Sequence, residues 1–178
     1  MGTALAGVTS IDPEKGLMMA RAMEGAESAS VNNAIAAIYA NNGDLKAHAF
    51  FLKTVPELKG LNKLGFLQKY NEYVLRMPNE EIDKAIVVYQ NIVETESIWF
   101  VKLSGYNLLA SVQNFYSKRA LEISAEIESA RADGKSEQVA EREKQMNICK
   151  IQDTKVANLL SELKALETDP NVKKYLGM

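Results

Sequence analysis

The sequence predicts an all-α protein: an elongated helical bundle with a long, coiled-coil-like C-terminal antiparallel helical hairpin that turns near Gly134. Three observations support this class. Apolar residues recur at helical spacing along most of the 178-residue chain. Prolines number only 4 and aromatic residues make up 7% of the chain, a composition that disfavours a β-sandwich. The stretch from Asn79 to Ala130 contains no proline and a single glycine, Gly105.

This long stretch, residues 79–130, is predicted to form either one continuous helix or a helix broken near Ser104 and Gly105. A continuous helix of that length spans about 75 Å, whereas a compact globule of this chain length is about 40 Å across. We favour the continuous helix and therefore expect a rod. Residues 98–101 are apolar on every side of this helix, which is typical of a segment surrounded by its neighbours.

The turn between the two long C-terminal helices is predicted at Gly134, because glycine suits the left-handed conformation that ends a helix. If the turn is tight, the two arms run antiparallel. This arrangement brings Ile127 near Ala140 and Tyr116 near Ile151. The hairpin is therefore expected to be held by contacts along its whole length.

The chain is predicted to hold one all-helical domain, residues 12–178, preceded by a disordered arm. Within that domain the hairpin, residues 98–168, projects from a bundle made with residues 12–97. An Asp-Pro pair at residues 169–170 begins a short closing helix. Residues 1–11 are mostly small and carry no charged side chain, and a chain end of this composition is expected to be disordered.

Local signals divide the N-terminal half into helices. Asp12 is followed by a proline and predicts a helix start, and the helix that follows is expected to cover residues 13–40 with a kink near Gly25. Residues 54–57, Thr-Val-Pro-Glu, have the pattern of a capping box. They predict the start of a further helix that runs to about Met77.

The charge balance disfavours a nucleic-acid partner. The net charge is -2, from 21 basic and 23 acidic residues. Such a balance provides no strong positive field to attract the phosphates of a nucleic acid. We therefore expect a protein partner or self-association.

No catalytic, metal-binding or cofactor-binding residues are predicted, and the protein is not expected to be an enzyme or to carry a cofactor. The chain has one histidine, His48, and one cysteine, Cys149. A zinc site needs three or four His, Cys or carboxylate ligands, and a ferritin-like di-iron site needs two Glu-x-x-His pairs. We interpret His48 as a partly buried structural residue and Cys149 as a small hydrophobic residue of the core.

The N-terminus predicts synthesis in the cytoplasm. It lacks the basic start and long apolar core of a secretory signal, and Ala6 occupies the position where a myristoylation motif requires Ser or Thr. No run of eighteen apolar residues is present that would span a membrane. Export by a route that does not use a cleavable signal peptide is the alternative.

The leading functional hypothesis is a non-catalytic interaction or assembly protein, comparable in form to secretion-apparatus substrates, virion components and scaffold proteins. It would act through helix–helix contacts with itself or with a protein partner. The length of the last two helices and the Ala-, Ser- and Met-rich N-terminal segment support this hypothesis. The candidate partner-binding residues are Met18, Met19, Met23, Val31, Ile35, Ile38, Arg131, Lys135 and Arg142.

Two alternatives come from other functional classes. A membrane-active helical protein would insert or lie on bilayers through the apolar belt of residues 98–112, although Lys102 interrupts this belt. A ligand-binding or enzymatic bundle would enclose a pocket. The side chains that would line such a pocket are Tyr70, Tyr73, Tyr89 and Tyr106.

Overall fold

The computed structural model describes residues 2–178, and the elements formed by these residues are all helical. This confirms the predicted all-α class. Two short 3-10 helices, Leu45–Ala47 and Val55–Glu57, flank the fourth α-helix. The α-helices are α1 Gly2–Ile11, α2 Pro13–Ala22, α3 Ala29–Asn42, α4 His48–Thr54, α5 Gly60–Val74, α6 Asn79–Thr95, α7 Trp99–Ala132, α8 Ser136–Leu166 and α9 Pro170–Leu176.

The chain divides into two compact units, Met1–Val88 and Tyr89–Met178. The first unit contains α1 to α5 and the beginning of α6, and the second contains the end of α6 and α7 to α9. The sequence analysis instead expects one domain over residues 12–178. The boundary between the units falls inside a helix, so no change in composition marks it.

Residues 2–11 form helix α1, where the sequence analysis expects a disordered arm; Met1 lies outside the described residues. Leu5 of α1 is only 1% exposed. A Cβ built on Gly16 of α2 would lie 2.7 Å from the Cα of Thr9, and one built on Gly2 would lie 2.8 Å from the carbonyl oxygen of Ser30. Small residues thus bring the backbones of α1, α2 and α3 close together, which compensates for the few large side chains in α1.

The single helix expected over residues 13–40 is two helices, α2 and α3. Gly25 lies between them with φ +89°, a left-handed conformation that an α-helix does not contain. At the start of α2 the prediction is confirmed, because the side chain of Asp12 accepts a hydrogen bond of 3.0 Å from the backbone N–H of Lys15.

The predicted capping box at residues 54–57 is wrong. The side chain of Thr54 makes no capping hydrogen bond, and residues 55–57 form a 3-10 helix. Leu58 is extended, and α5 begins two residues later, at Gly60. The buried position of Thr54 shows that tertiary packing overrides the local capping pattern here.

The predicted continuous helix over residues 79–130 is also wrong, and so is the alternative break near Gly105. The helix ends at Thr95 and restarts at Trp99, with Ile98 in an extended conformation. Gly105 lies inside α7, where an added Cβ would be 2.8 Å from Cγ2 of Val93. The glycine therefore allows the end of α6 to pack against α7.

Helices α7 and α8 contain 34 and 31 residues and pack on each other within the second unit. They are joined through Gly134, whose φ is +71°. Near the turn Arg131 pairs with Glu143, at 2.6 Å between Nη2 and Oε1. Farther along, Ser117 donates its hydroxyl to Oδ1 of Asp153 over 2.7 Å, so the two helices run antiparallel.

Aromatic rings form the centre of the first unit. Phe51 of α4 stacks on Tyr70 and Tyr73 of α5, with ring centroids 5.0 and 4.8 Å apart. Tyr39 and Phe66 also meet Phe51. Because large rings bury the most apolar area per residue, this cluster is the main hydrophobic core of the unit.

At the C-terminus the predicted closing helix is confirmed as α9. Asp169 is its N-cap and accepts hydrogen bonds from the backbone N–H groups of Asn171 and Val172, at 2.8 and 3.3 Å. On the same helix Tyr175 stacks on Trp99, with ring centroids 5.3 Å apart and planes 5° from parallel.

Candidate functional site

His48 is at the centre of a buried polar network in the first unit. Its Nδ1 is hydrogen-bonded to a carboxylate oxygen of Glu81 on α6, and its Nε2 lies 2.7 Å from the hydroxyl of Tyr70 on α5. The other carboxylate oxygen of Glu81 accepts from Nζ of Lys84 over 2.7 Å. The imidazole itself is buried.

The charges in this network determine the tautomer of His48. The hydrogen bond from Lys84 is the main cause that lowers the pKa of Glu81, so this carboxylate is ionised at neutral pH and can only accept. Burial lowers the pKa of His48 and outweighs the effect of Glu81, so the ring is neutral. Nδ1 therefore carries the proton and donates to Glu81, and the hydroxyl of Tyr70 donates to Nε2.

The order Glu81–His48–Tyr70 resembles a catalytic triad in its connectivity, but its chemistry is different. A nucleophile must reach substrate and must have a base that activates its hydroxyl. Tyr70 is completely buried, and burial strongly raises the pKa of its phenol. The network therefore positions α4, α5 and α6, in agreement with the structural role that the sequence analysis assigned to His48.

A cavity of about 350 Å³ lies in the first unit between the α2–α3 loop, α3, α4 and the 3-10 helix after α4. Phe50 and Ala49 provide apolar lining, and Asn32 lines the cavity from α3. The ionisable lining groups are Glu24, Glu27, Lys53 and Glu57.

Asn32 is the buried polar residue of this cavity. Its Nδ2 donates to the carbonyl oxygen of Ala26 over 3.1 Å, whereas its Oδ1 has no hydrogen-bond partner. The residue is only 7% exposed. An unpaired buried amide oxygen is costly, and this oxygen is shielded from solvent by the surrounding atoms. The sequence analysis did not identify Asn32, because an asparagine within a helix gives no local sign of burial.

The second unit has its own buried polar group at the end of α8. Glu167 accepts hydrogen bonds from the hydroxyl of Tyr106, at 3.0 Å, and from the backbone N–H groups of Thr168 and Asp169, both at 2.8 Å. Burial opposes its ionisation, but these donors and the ammonium group of Lys102 lower the pKa of Glu167 overall. A cavity of about 240 Å³ adjoins this cluster.

The tyrosines that the sequence analysis considered for a pocket are all buried. Tyr106 lines the cavity beside Glu167, whereas Tyr70 and Tyr73 belong to the aromatic core of the first unit. Burial raises the pKa of Tyr73 to about 12, so its hydroxyl is protonated and donates to the carbonyl oxygen of Asp44 over 2.8 Å. These hydroxyls therefore stabilise packing.

Cys149 is buried in α8, where the sequence analysis placed it. Burial raises the pKa of its thiol. Since the thiolate is the reactive form, the thiol is a poor nucleophile in this position.

The candidate partner-binding residues at the N-terminal end fall into two groups that differ in solvent exposure. Met18 is exposed, and Met19 and Met23 are half-buried. Val31, Ile35 and Ile38 are buried in the first unit, on the helix α3 that packs against α1 and α5. They offer no exposed surface in this structure, and their assignment as partner-binding residues stays a prediction.

The three candidates at the hairpin tip lie near one another but each has an acidic partner. Arg131 pairs with Glu143, and Lys135 pairs with Asp133 at 2.8 Å. Arg142 pairs with Glu126, at 2.9 Å between Nε and Oε2. Ion pairs this exposed contribute little to stability and remain accessible to solvent.

Among residues 2–178 no group of three or more His, Cys, Asp or Glu side chains is arranged to hold a metal ion. Within the same residues no helix is both long and apolar enough to cross a membrane. No family model, curated protein or solved structure matches this chain.

Proposed function

We propose that this chain is a non-catalytic interaction protein that binds a helix of a protein partner along the outer face of α8. The observation that carries the proposal is the exposure of two large apolar side chains, Ile148 and Ile151, which are 45% and 59% exposed. Residues three apart share one face of a helix. Ile151, which the sequence analysis placed near Tyr116, therefore belongs to a solvent-facing stripe.

The flanking charges indicate the chemistry of the partner. Lys144 and Lys155 lie four residues before Ile148 and four residues after Ile151, on the same side of the helix. Both lysines are exposed, and the aliphatic stem of a lysine can extend an apolar stripe. A helix with apolar residues flanked by carboxylates would complement this stripe.

The same lysines disfavour pairing of this stripe with a second copy of itself. An antiparallel copy would bring Lys144 of one chain toward Lys155 of the other, and a parallel copy would bring identical lysines together. Like charges in register oppose association. We therefore favour a different protein over self-association as the partner of this face.

The first test is the molecular mass in solution by light scattering, for the natural chain and for a variant with Ile148→Glu and Ile151→Glu. Both are expected to give the monomer mass of 19.7 kDa across the concentration range. If the natural chain forms a dimer that the variant does not, the stripe binds a second copy and the proposed partner chemistry is wrong.

The second test uses a photo-crosslinking amino acid in cells that naturally make the protein. Placed at position 151, it is expected to form one discrete adduct, and Ile148→Glu in the same chain should abolish that adduct. Position 61 is the matched control, because Leu61 is also a highly exposed apolar residue of a helix but lies in the first unit. Adducts of equal yield at both positions would contradict a specific surface on α8.

A further inference from the structure

We propose that Asn42, the last residue of α3, is a site of spontaneous deamidation whose rate is set by the opening of the last turn of that helix. The reaction places a carboxylate at the C-terminal end of α3 and weakens the folded state of the first unit. This inference is independent of the proposed surface on α8, which belongs to the second unit.

The sequence around Asn42 favours the reaction. Asn42 is the only asparagine of the chain that is followed by a glycine, and the residue is exposed to water. Deamidation begins when the backbone nitrogen of the next residue attacks the side-chain carbon Cγ. Glycine assists this attack because it has no Cβ to obstruct the approach and adopts backbone conformations that other residues avoid.

The reaction requires no reactant other than water. The nitrogen of Gly43 loses its proton and forms a bond to Cγ of Asn42, and Nδ2 takes up a proton and leaves as ammonia. Water then opens the resulting imide ring. Cleavage at one carbonyl gives aspartate, and cleavage at the other gives isoaspartate, in which the main chain continues through the former side chain.

The folded structure holds the two reacting groups in separate hydrogen bonds. The N–H of Gly43 donates to the carbonyl oxygen of Tyr39 over 2.9 Å, and Nδ2 of Asn42 donates to the carbonyl oxygen of Ile38 over 2.8 Å. Both bonds must break before the nitrogen can reach Cγ. Because helix ends open more readily than helix centres, the folded chain reacts through a form in which the last turn of α3 is open.

The product is less compatible with this position than asparagine. A carboxylate has no N–H, so it cannot donate to the carbonyl oxygen of Ile38 and instead places a second acceptor beside it. A negative charge at the C-terminal end of a helix is also unfavourable. Both effects destabilise the closed turn at position 42.

Two arginines bond to this part of the chain, and both already have acceptors. Arg21 pairs with Asp44, two residues beyond Asn42. Arg76 of the first unit donates from Nη1 to the carbonyl oxygen of Ala40 over 2.9 Å. A new carboxylate at position 42 would therefore compete with existing acceptors for these cations.

The first experiment incubates the full chain at neutral pH, folded in buffer and unfolded in urea, and follows each asparagine by peptide mapping with mass spectrometry. Asn42 is expected to form aspartate and isoaspartate at least about tenfold more slowly in the folded chain than in the unfolded chain. Asn62 is the control within the same chain, because it is exposed in α5 but precedes a lysine. It is expected to react more slowly than Asn42 in both states.

Two results of this experiment would overturn the proposal. Equal rates at Asn42 in the folded and unfolded chains would mean that the last turn of α3 does not control the reaction. A folded chain in which Asn62 reacts as fast as Asn42 would mean that position 42 is not a preferred site.

Arg76→Gln tests the control by helix opening. The variant loses the hydrogen bond to Ala40 and is expected to raise the rate at Asn42 about threefold in the folded chain, with no change in urea. Arg119→Gln is the matched control, because Arg119 pairs with glutamates of α7 in the second unit. A folded-state rate that stays the same in Arg76→Gln, or that rises equally in both variants, would contradict this mechanism.

Asn42→Asp tests the effect of the product on the first unit. The variant is expected to raise the equilibrium constant for unfolding about fivefold, measured by urea unfolding with circular dichroism. Asn62→Asp is the matched control, because Asn62 lies in the first turn of α5, where a negative charge is favourable, and it should cause no such increase. If Asn42→Asp is as stable as the natural chain, or if both variants are destabilised equally, the proposed effect of deamidation is wrong.

Discussion

Tyr106 of α7 donates its hydroxyl to Glu167, just past the end of α8, over 3.0 Å between Oη and Oε2. The same hydroxyl lies 3.0 Å from the carbonyl oxygen of Leu163. One phenol thus meets the last turn of α8 and the carboxylate that follows it. This cluster joins the two long helices at the end opposite Gly134.

Glu167→Gln tests this cluster. The variant keeps the shape of the side chain but loses the charge that its donors stabilise, and the free energy of unfolding is expected to fall by about 1–3 kcal/mol at neutral pH. Urea unfolding followed by circular dichroism measures the change. Glu162→Gln, at an exposed position of the same helix, is the control and should change stability by less than about 0.5 kcal/mol.

The pH dependence of the same variant has a defined sign. The folded state lowers the pKa of Glu167 below its ordinary value, so its carboxylate contributes stability that is present above the unfolded pKa and is lost as pH falls through the folded pKa. The natural chain should therefore lose stability in acid below about pH 4.5 more steeply than Glu167→Gln. Equal slopes for the two proteins would contradict this assignment.

His48→Gln tests the buried network of the first unit. Burial lowers the pKa of His48 in the folded state, so the unfolded chain binds the proton more readily. Stability is then complete above the unfolded pKa of about 6.5 and decreases as pH falls through that value toward the folded pKa.

The measurement for His48 is a series of urea unfolding curves between about pH 8 and pH 5. His48→Gln is expected to cost about 1–3 kcal/mol at the upper end and to flatten the slope near pH 6.5. His48 is the only histidine of the chain, which makes the assignment direct. A natural chain whose stability does not decrease between pH 8 and pH 5 would contradict it.

Gly105→Ala and Gly65→Ala form a matched pair, because both glycines lie inside helices. A Cβ at Gly105 would lie 2.8 Å from Cγ2 of Val93 and 3.2 Å from the carbonyl oxygen of Tyr89, so overpacking is expected to cost about 1–3 kcal/mol. At Gly65 the nearest atom, Nδ2 of Asn33, is 3.8 Å away, and alanine should stabilise by about 0.5–1 kcal/mol. Thermal unfolding measures both. Stabilisation by both variants would rule out close packing of α6 on α7.

Leu5→Ala tests whether α1 is docked. Leu5 is buried, so truncation is expected to cost about 2–4 kcal/mol, whereas Ile11→Ala in the same helix should change stability by less than about 0.5 kcal/mol because Ile11 is 87% exposed. Denaturant unfolding of the two variants measures the difference. Equal, near-zero effects would instead support the disordered arm that the sequence predicts.

Helical periodicity was sufficient to predict the class of the fold and its C-terminal part. Gly134 and Asp169 mark helix ends through local backbone and capping preferences, and both act where the sequence places them. These preferences depend only on neighbouring residues, so they can be predicted without knowing the tertiary contacts.

Features that depend on distant residues were not predictable in the same way. A glycine in a helical pattern can mark a break or a close contact, and the contact at Gly105 depends on Val93, across the turn between α6 and α7. The partners of His48 are 22 and 33 residues away in the chain.

The stack of Trp99 on Tyr175 gives the protein a built-in optical probe. Trp99 is the only tryptophan of the chain, so indole fluorescence reports on the second unit and is sensitive to detachment of α9. The far-ultraviolet signal averages over the helices of both units. If the two signals change at different urea concentrations, the two units unfold independently of each other. A single two-state transition would then not describe the unfolding of the whole chain.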